Sequence, residues 1–483
     1  MLKGLFFHMI AKVVFVLSTY VVHLFLGKSL TPEEYGMIGV VISIITVNYN
    51  FLSNGTRQAV SKLLATRLYD EKKIIKKGFL LQSGVALALT LINFFGAGFF
   101  AEVLNAPYMA NYIRLSAIMI PFTAIYFLCV GTLNGLKMFV IEALIVTVYP
   151  MLRLTIIPYI SYVFDDCVVG AVMGFFTAAF ICCIWSFLQV LFKSRKLENK
   201  DMLASNKVFF SHVTSFLLFF TCITVILNAD MLIVNARVED QAYVGYYTGA
   251  VNFSKVSYYL LSAVYLVILP TITNYYSQGK IENAKKTIVA LNNAIALFIL
   301  PVATIICATS GTVLGLFYKP DYVKAATATT ILVMAQFFIG LFVVINMCIS
   351  AAQSKKFSTY LALAITAADL VMCYFFVGKW GIMGSALATC ICGGVGCIIS
   401  YIKVSKIYGN PFDLSIVKLL VSNIVYSVAI YFAFRFIEVK SLFLLIFIYF
   451  LLYCFFVFIC SITKQVDLKG IINVFTKKEV GNK

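Results

Sequence analysis

Apolar runs of roughly 20 residues recur along almost the whole chain, and they constrain it more than any other feature. A helix of that length crosses a hydrocarbon core of about 30 Å. Inside lipid the backbone must satisfy its own N–H and C=O groups, so runs this long fold as spanning helices. The pattern predicts about fourteen spans, at 5–26, 36–55, 79–100, 113–133, 141–161, 168–191, 208–234, 243–274, 288–316, 326–350, 357–377, 382–402, 416–434 and 441–463. Apolar residues make up 62% of the chain and charged residues 12%, against about 45–50% and about 25% in soluble domains. The expected fold class is therefore all-α and integral to a membrane.

A net charge of +18 would suggest nucleic acid in a soluble chain. Its distribution argues otherwise. With the N-terminus inside, 27 Lys and Arg fall in cytoplasmic segments, 8 in external ones and three within spans, Arg114 and Lys418 being counted with the adjacent loops. That asymmetry follows the positive-inside rule, and it predicts a multi-pass cell-membrane protein with both termini cytoplasmic. The basic surplus then serves as a topological address and a contact with lipid headgroups, with no nucleic acid as partner. Lys3, His8 and Lys12 precede apolar residues to about Phe25 without a small-residue cleavage site, so the start reads as a first span and not as a cleaved signal. The 13 cysteines lie almost entirely inside spans, with Cys167 in an external loop, and show no metal-binding spacing; they read as small apolar fillers.

The chain repeats itself. Tyr35-Gly36 follows Glu33-Glu34, and Tyr243-Val244-Gly245 follows Glu239-Asp240. Equating Gly36 with Gly245 also pairs Lys76-Lys77 with Lys285-Lys286. Further on, Pro107-Tyr108 matches Pro320-Asp321-Tyr322, and Gly170-Ala171 matches Gly384-Ser385-Ala386. Six spans per half give the halves one orientation, related by an axis along the membrane normal. The expected division is a first six-helix lobe at 1–192, a cytoplasmic linker at 193–207 and a second lobe at 208–405. An added helix pair at 406–464 and a cytoplasmic tail at 465–483 complete it.

No loop is long enough for a catalytic domain, and no nucleophile, metal or phosphate-loop constellation occurs, so neither an enzyme nor a cofactor is expected. Residues 392–396 (CGGVG) lack the strand and Lys of a nucleotide loop and fit close helix packing better. The Asn54-Gly55-Thr56 sequon falls near the cytoplasmic face. No ATPase module is present, which leaves ion or lipid gradients as the energy source.

Five charges sit well inside the spans: Lys12, Arg153, Asp230, Lys255 and Asp369. Each costs about 2.5–3.5 kcal/mol at a helix centre, so they should face a cavity or one another. Lys12 is near enough to the inner interface to snorkel, and Asp230, beside Asn228 and Asn235, lies near the outer end of its span. Arg153, between Pro150 and Pro158, maps through the repeat to position 371, within one turn of Asp369. Two readings stand: a structural salt bridge, or a polar cavity with cations for an anionic cargo. Asn50, Asn54 and Arg57 share a face with Asn48 nearby, and Asn252 shares one with Lys255. The candidate substrate-binding set is Lys12, Arg57, Arg153, Asn252 and Lys255, and the candidate ion-coupling or cavity set is Asp230, Asp369 and Asn48. The tyrosines at 246, 247, 258, 259, 275 and 276 read as an interfacial belt.

Residues 30–40 (LTPEEYGMIGV) and 54–65 (NGTRQAVSKLLA) resemble the start of polysaccharide-transport flippases of the multidrug/oligosaccharidyl-lipid/polysaccharide superfamily. Residues 229–250 (ADMLIVNARVEDQAYVGYYTGA) resemble the opening of their second half, and 380–389 (WGIMGSALAT) the turn into their twelfth span. The resemblance implies two six-helix lobes in a V around an alternating cavity. It also implies transfer of undecaprenyl-diphosphate-linked sugars to the outer leaflet. Fourteen spans resembles the sporulation and lipid II branch, in which the last pair borders a groove for the lipid tail. Implied partners are the lipid-linked glycan, membrane lipids, a coupling ion (H+ or Na+) and glycan-synthesis proteins. A cation-coupled multidrug exporter of the same superfamily is the alternative. A glycosyl polymerase would need a large external loop, and a non-transporting assembly factor is a further, weaker reading.

Overall fold

A computed structural model describes residues 2–66, 68–161, 163–195, 197, 206–352, 355–437 and 439–463; side chains are described from residue 13 onward, except at 66, 161, 206–208, 211–212, 214–216, 266–267 and 355. The chain groups into two compact units, 1–248 and 249–483. Most of the expected linker at 193–207 lies outside the described residues, as does the expected tail.

The first unit runs through α1 (Leu2–Ser29), α2 (Pro32–Asn54), α3 (Thr56–Thr66), α4 (Glu71–Phe95) and α5 (Ala97–Val103). It continues with α6 (Met109–Ile118), α7 (Ile120–Gly135), α8 (Phe139–Ser161), α9 (Cys167–Ser194) and α10 (Asn206–Arg237). Helix α11 (Gln241–Ser277) begins in this unit and continues into the second. Local chemistry marks the starts. Thr31 caps α2 by accepting from the Glu34 amide, and Glu34 accepts from the Thr31 amide in return, a capping box that also carries Pro32 in the first turn. Asp70 caps α4 by accepting from the Lys73 amide, and Asp166 caps α9 by accepting from the Val168 and Val169 amides. The core joins Leu63 and Leu64 of α3, Leu128 and Leu133 of α7, and Ala178 and Cys182 of α9, and it extends to Phe209 of α10.

The second unit adds α12 (Ile281–Ala294), a π-helical segment (Ile295–Ile299), α13 (Leu300–Ala308) and α14 (Ser310–Phe317). A 3-10 turn (Pro320–Ala325), α15 (Ala326–Ala351), α16 (Lys355–Tyr408), α17 (Leu414–Ala433) and α18 (Leu442–Ile462) follow. Helix α16 spans 54 residues, far more than one crossing needs. It bends at Gly381, whose φ of 56° and ψ of −139° suit glycine alone. Beyond the bend the chain folds back: Gly384 lies against the Phe376 carbonyl, and the Cys373 thiol is 3.2 Å from the Ser385 hydroxyl. The expected eleventh and twelfth spans are thus one helical hairpin.

Among the described residues twelve helical stretches are long and apolar enough to cross a membrane, and residues 13–29 of α1 form a further apolar stretch. With α16 counted as two stretches and α1 as one, the apolar helices among the described residues match the expected fourteen spans, and no strand occurs among those residues. Helix α18 leaves Phe443, Phe450 and Phe458 exposed, as a lipid-facing helix must.

Asparagines fasten the last pair to the ninth crossing. Pro301 has no N–H to donate, and the backbone just before it widens into the π segment. The Asn423 amide of α17 donates to the Ala296 carbonyl there at 3.0 Å. Asn292 donates to the Pro411 carbonyl at 3.0 Å, and Asn293 to the Asp413 carboxylate at 3.1 Å.

The positions equated by the repeat, Gly36 and Gly245, meet directly. A Cβ on Gly36 would lie 2.9 Å from the Gly245 amide nitrogen, and one on Gly245 would collide with the Pro32 carbonyl. Only hydrogen at both Cα atoms allows α2 and the start of α11 to approach this closely.

Candidate functional site

Arg153 organises the polar interior of the first unit. It lies on α8 between Pro150 and Pro158 and is 8% exposed. Its guanidinium carbon is 4.5 Å from the Phe175 ring centre on α9 and 5.7 Å from that of Tyr149, one turn earlier on α8. No carboxylate pairs with Arg153 among the described residues, and its Nε finds no acceptor. Stacking between rings holds the cation where water does not screen it, a setting in which cation–π attraction reaches about 2 kcal/mol.

The rings continue toward Arg57. Tyr149 packs against Tyr126 of α7 at 5.4 Å between centroids, and Tyr126 against Phe127 at 5.3 Å. Arg57, half-buried on α3, places its guanidinium carbon 5.9 Å from the Phe127 ring centre. Two cations separated by about a hundred residues in sequence are therefore linked by one aromatic path. Arg57 lies in the first turn of α3, a helix separated from α2 by Gly55.

Asn48 is buried, and its side chain faces Asn93 of α4, the two amides exchanging hydrogen bonds at 3.4 Å. Asn54 instead donates to Asn50 within its own helix at 3.3 Å. Asp230 is 1% exposed; one oxygen accepts from the Tyr247 hydroxyl at 2.8 Å and the other from the Met231 amide at 2.8 Å. Tyr247 and Tyr246 are thus buried, correcting for these two the expected interfacial belt, because Tyr247 serves the Asp230 carboxyl. Lys12 lies in α1, its side chain outside the described residues.

The other candidates belong to the second unit. Asn252 and Lys255 are half-buried on α11. Asp369 is 1% exposed on the first arm of α16, within electrostatic reach of Cys392 on the second arm.

Some polar residues escape a reading of the sequence. Glu142 is fully buried in the first turn of α8 and accepts from Asn134 at 2.9 Å, while Asn134 accepts from the Ser61 hydroxyl at 2.9 Å. Its position at the edge of an apolar run was the available signal. His23, 3% exposed, lies 3.0 Å from the Tyr35 hydroxyl. Among the described residues no group of three metal-ligating side chains converges.

Several solved structures share this fold. A lipid II flippase, MurJ, in an inward closed conformation superposes with a TM-score of 0.73 at 16% identity, covering 96% of this chain and 100% of that one. An inward-facing multidrug resistance MATE family transporter of the MOP superfamily gives 0.66 at 14%, covering 81% and 95%. A MOP superfamily transporter from Pyrococcus furiosus gives 0.64 at 15%, covering 84% and 95%. At these identities the likeness shows a shared fold. No curated protein sequence matches. The family model described as polysaccharide biosynthesis protein matches residues 25–327, more than half of the chain. The chain is a member of the polysaccharide biosynthesis protein family.

Proposed function

We propose that the protein is a flippase that moves a lipid-linked oligosaccharide or polysaccharide precursor, carried on undecaprenyl diphosphate, from the cytoplasmic to the outer leaflet by alternating access. It acts as a transporter in the cell membrane, not as an enzyme, with both termini in the cytoplasm. Two six-helix lobes, 1–192 and 208–405, form its transport core, and the pair at 406–464 is an addition to it. A sugar hydroxyl buried without a partner costs roughly 2–7 kcal/mol, which closes bare hydrocarbon to an oligosaccharide. A protein path lined by polar groups lowers that barrier while the lipid tail stays in the membrane.

The observation that carries this reading is Arg153, a cation nine-tenths buried, held by two rings and without a carboxylate beside it. Such a group favours an anionic cargo. Lys255, with Asn252 on the same helix face, supplies a second cation, and Lys12 and Arg57 extend the set. Each cation offers the diphosphate of such a cargo charge-assisted hydrogen bonds of roughly 1.5–3 kcal/mol. Asp230, Asp369 and Asn48 serve ion coupling by H+ or Na+, or line the path. Glycan-synthesis proteins supply the substrate.

The buried carboxyl of Asp369 and the MATE-like fold support the second reading, a cation-coupled drug exporter. Complementation of a flippase-deficient strain separates the two. A flippase loses activity in the Arg153→Ala/Lys255→Ala double variant at normal membrane abundance. An exporter does not complement such a strain; its drug export tolerates that variant and is lost with Asp230→Asn and Asp369→Asn. Full complementation by the double variant overturns the binding role of Arg153 and Lys255, and failure of the native protein to complement overturns the flippase reading.

A further inference from the structure

The second unit contains a cavity of about 630 Å³ that the proposed transport does not use. Its size lies within the range of about 300–1,000 Å³ common to small-molecule sites. It opens where α13 and α17 end and α15 begins, so three crossings contribute the same membrane-facing end.

Hydroxyls line its wall. Ser310 and Thr330 bond to each other at 2.9 Å, and Thr330 also reaches the Cys307 carbonyl at 3.2 Å. Thr312 and Thr327 also face the cavity and make no side-chain hydrogen bond among the described residues, so both keep a donor for a ligand. Arg435 stands at the mouth, just past the end of α17. One guanidinium nitrogen donates to the Tyr431 hydroxyl at 3.0 Å, and the guanidinium carbon is 5.1 Å from that ring's centre. This contact orients the fork and leaves its other N–H groups available. No carboxylate lines the cavity, and none pairs with Arg435 among the described residues. The site is thus a cation backed by hydroxyl donors, at the depth where spanning helices meet lipid headgroups. Below the mouth, α17 exposes Val421, Val425, Val428 and Phe432, a face along which an acyl or prenyl chain can lie.

We propose that this cavity holds the phosphate-bearing head of a membrane lipid, with Arg435 on the phosphate and Thr312 and Thr327 donating to its oxygens. On the orientation proposed above, the lipid belongs to the outer leaflet. Glycerophospholipids and polyprenyl phosphates both carry this chemistry.

The test is native mass spectrometry of the full chain in detergent, titrated with phosphatidylglycerol, undecaprenyl phosphate, diacylglycerol and inorganic phosphate. Phosphatidylglycerol or undecaprenyl phosphate binds, the tighter of the two naming the source, and diacylglycerol does not. Arg435→Gln weakens binding roughly ten-fold, as loss of a charge-assisted contact implies. Thr312→Val/Thr327→Val weakens it several-fold, and Lys379→Gln, away from the cavity, leaves it unchanged. Thermal melting of each variant shows that the fold is retained. Equal binding of diacylglycerol, unchanged affinity in Arg435→Gln, or an equal loss in Lys379→Gln overturns the proposal. Occupancy by inorganic phosphate as strong as by lipid also overturns it, as an adventitious ion only. Because binding is read without transport, a failure here leaves the flippase reading intact.

Discussion

Arg153 shows how a buried charge is held without a counter-ion. Its rings attract the face of a planar guanidinium, and an ammonium lacks both that face and the five-donor fork. Arg153→Lys is therefore expected to retain only part of the complementing activity, with abundance unchanged; activity equal to the native protein would show that charge alone suffices. The Asp230 pairing gives a prediction of a different kind. Tyr247→Phe removes a donor from a carboxyl that is 1% exposed. Losing a hydrogen bond to a buried carboxyl costs about 1–3 kcal/mol, to be read as a lower melting temperature in detergent. An unchanged melting curve would mean that the hydroxyl contributes nothing to stability. Both residues were legible in the sequence because a charge inside a span is costly, while Phe175 and Tyr247 are ordinary apolar-run residues until the fold brings them into contact.

At the scale of elements, glycines separate contact from mere permissiveness. Gly245→Ala drives a methyl group into the Pro32 carbonyl, and α2 and α11 must part. Overpacking of this kind costs about 1–3 kcal/mol. Gly84 in α4 has nothing within 4 Å of its would-be Cβ. Gly84→Ala should leave stability equal or better, since alanine is the stronger helix former by about 1 kcal/mol. Thermal unfolding of the two variants side by side tests the contrast, and equal effects would refute the close approach. The repeat in the sequence singled out Gly36 and Gly245 as equivalents. Their contact was not readable there, because equivalence along a chain says nothing about proximity in space.

At the scale of the molecule, the charge asymmetry sets the expected orientation. Cysteines placed singly at Asp166 or Asp321 should react with an impermeant maleimide from outside intact cells, and those at Lys73 or Lys200 should not. Labelling at position 200 would invert the topology.

The helical spans follow from the chain alone, because in lipid the length of an apolar run and its backbone hydrogen bonding leave the helix as the only solution. The mid-span charges were visible for the same reason. What surrounds them was decided by tertiary packing. The aromatic path from Arg57 to Arg153, the Asn48–Asn93 pair, the docking of Asn423 on the π segment and the hydroxyl-lined cavity at Arg435 each join residues from different helices. Apolar periodicity cannot encode such partners, since inside a membrane lipid-facing and protein-facing sides of a helix are alike in hydrophobicity and only shape and polar complementarity tell them apart.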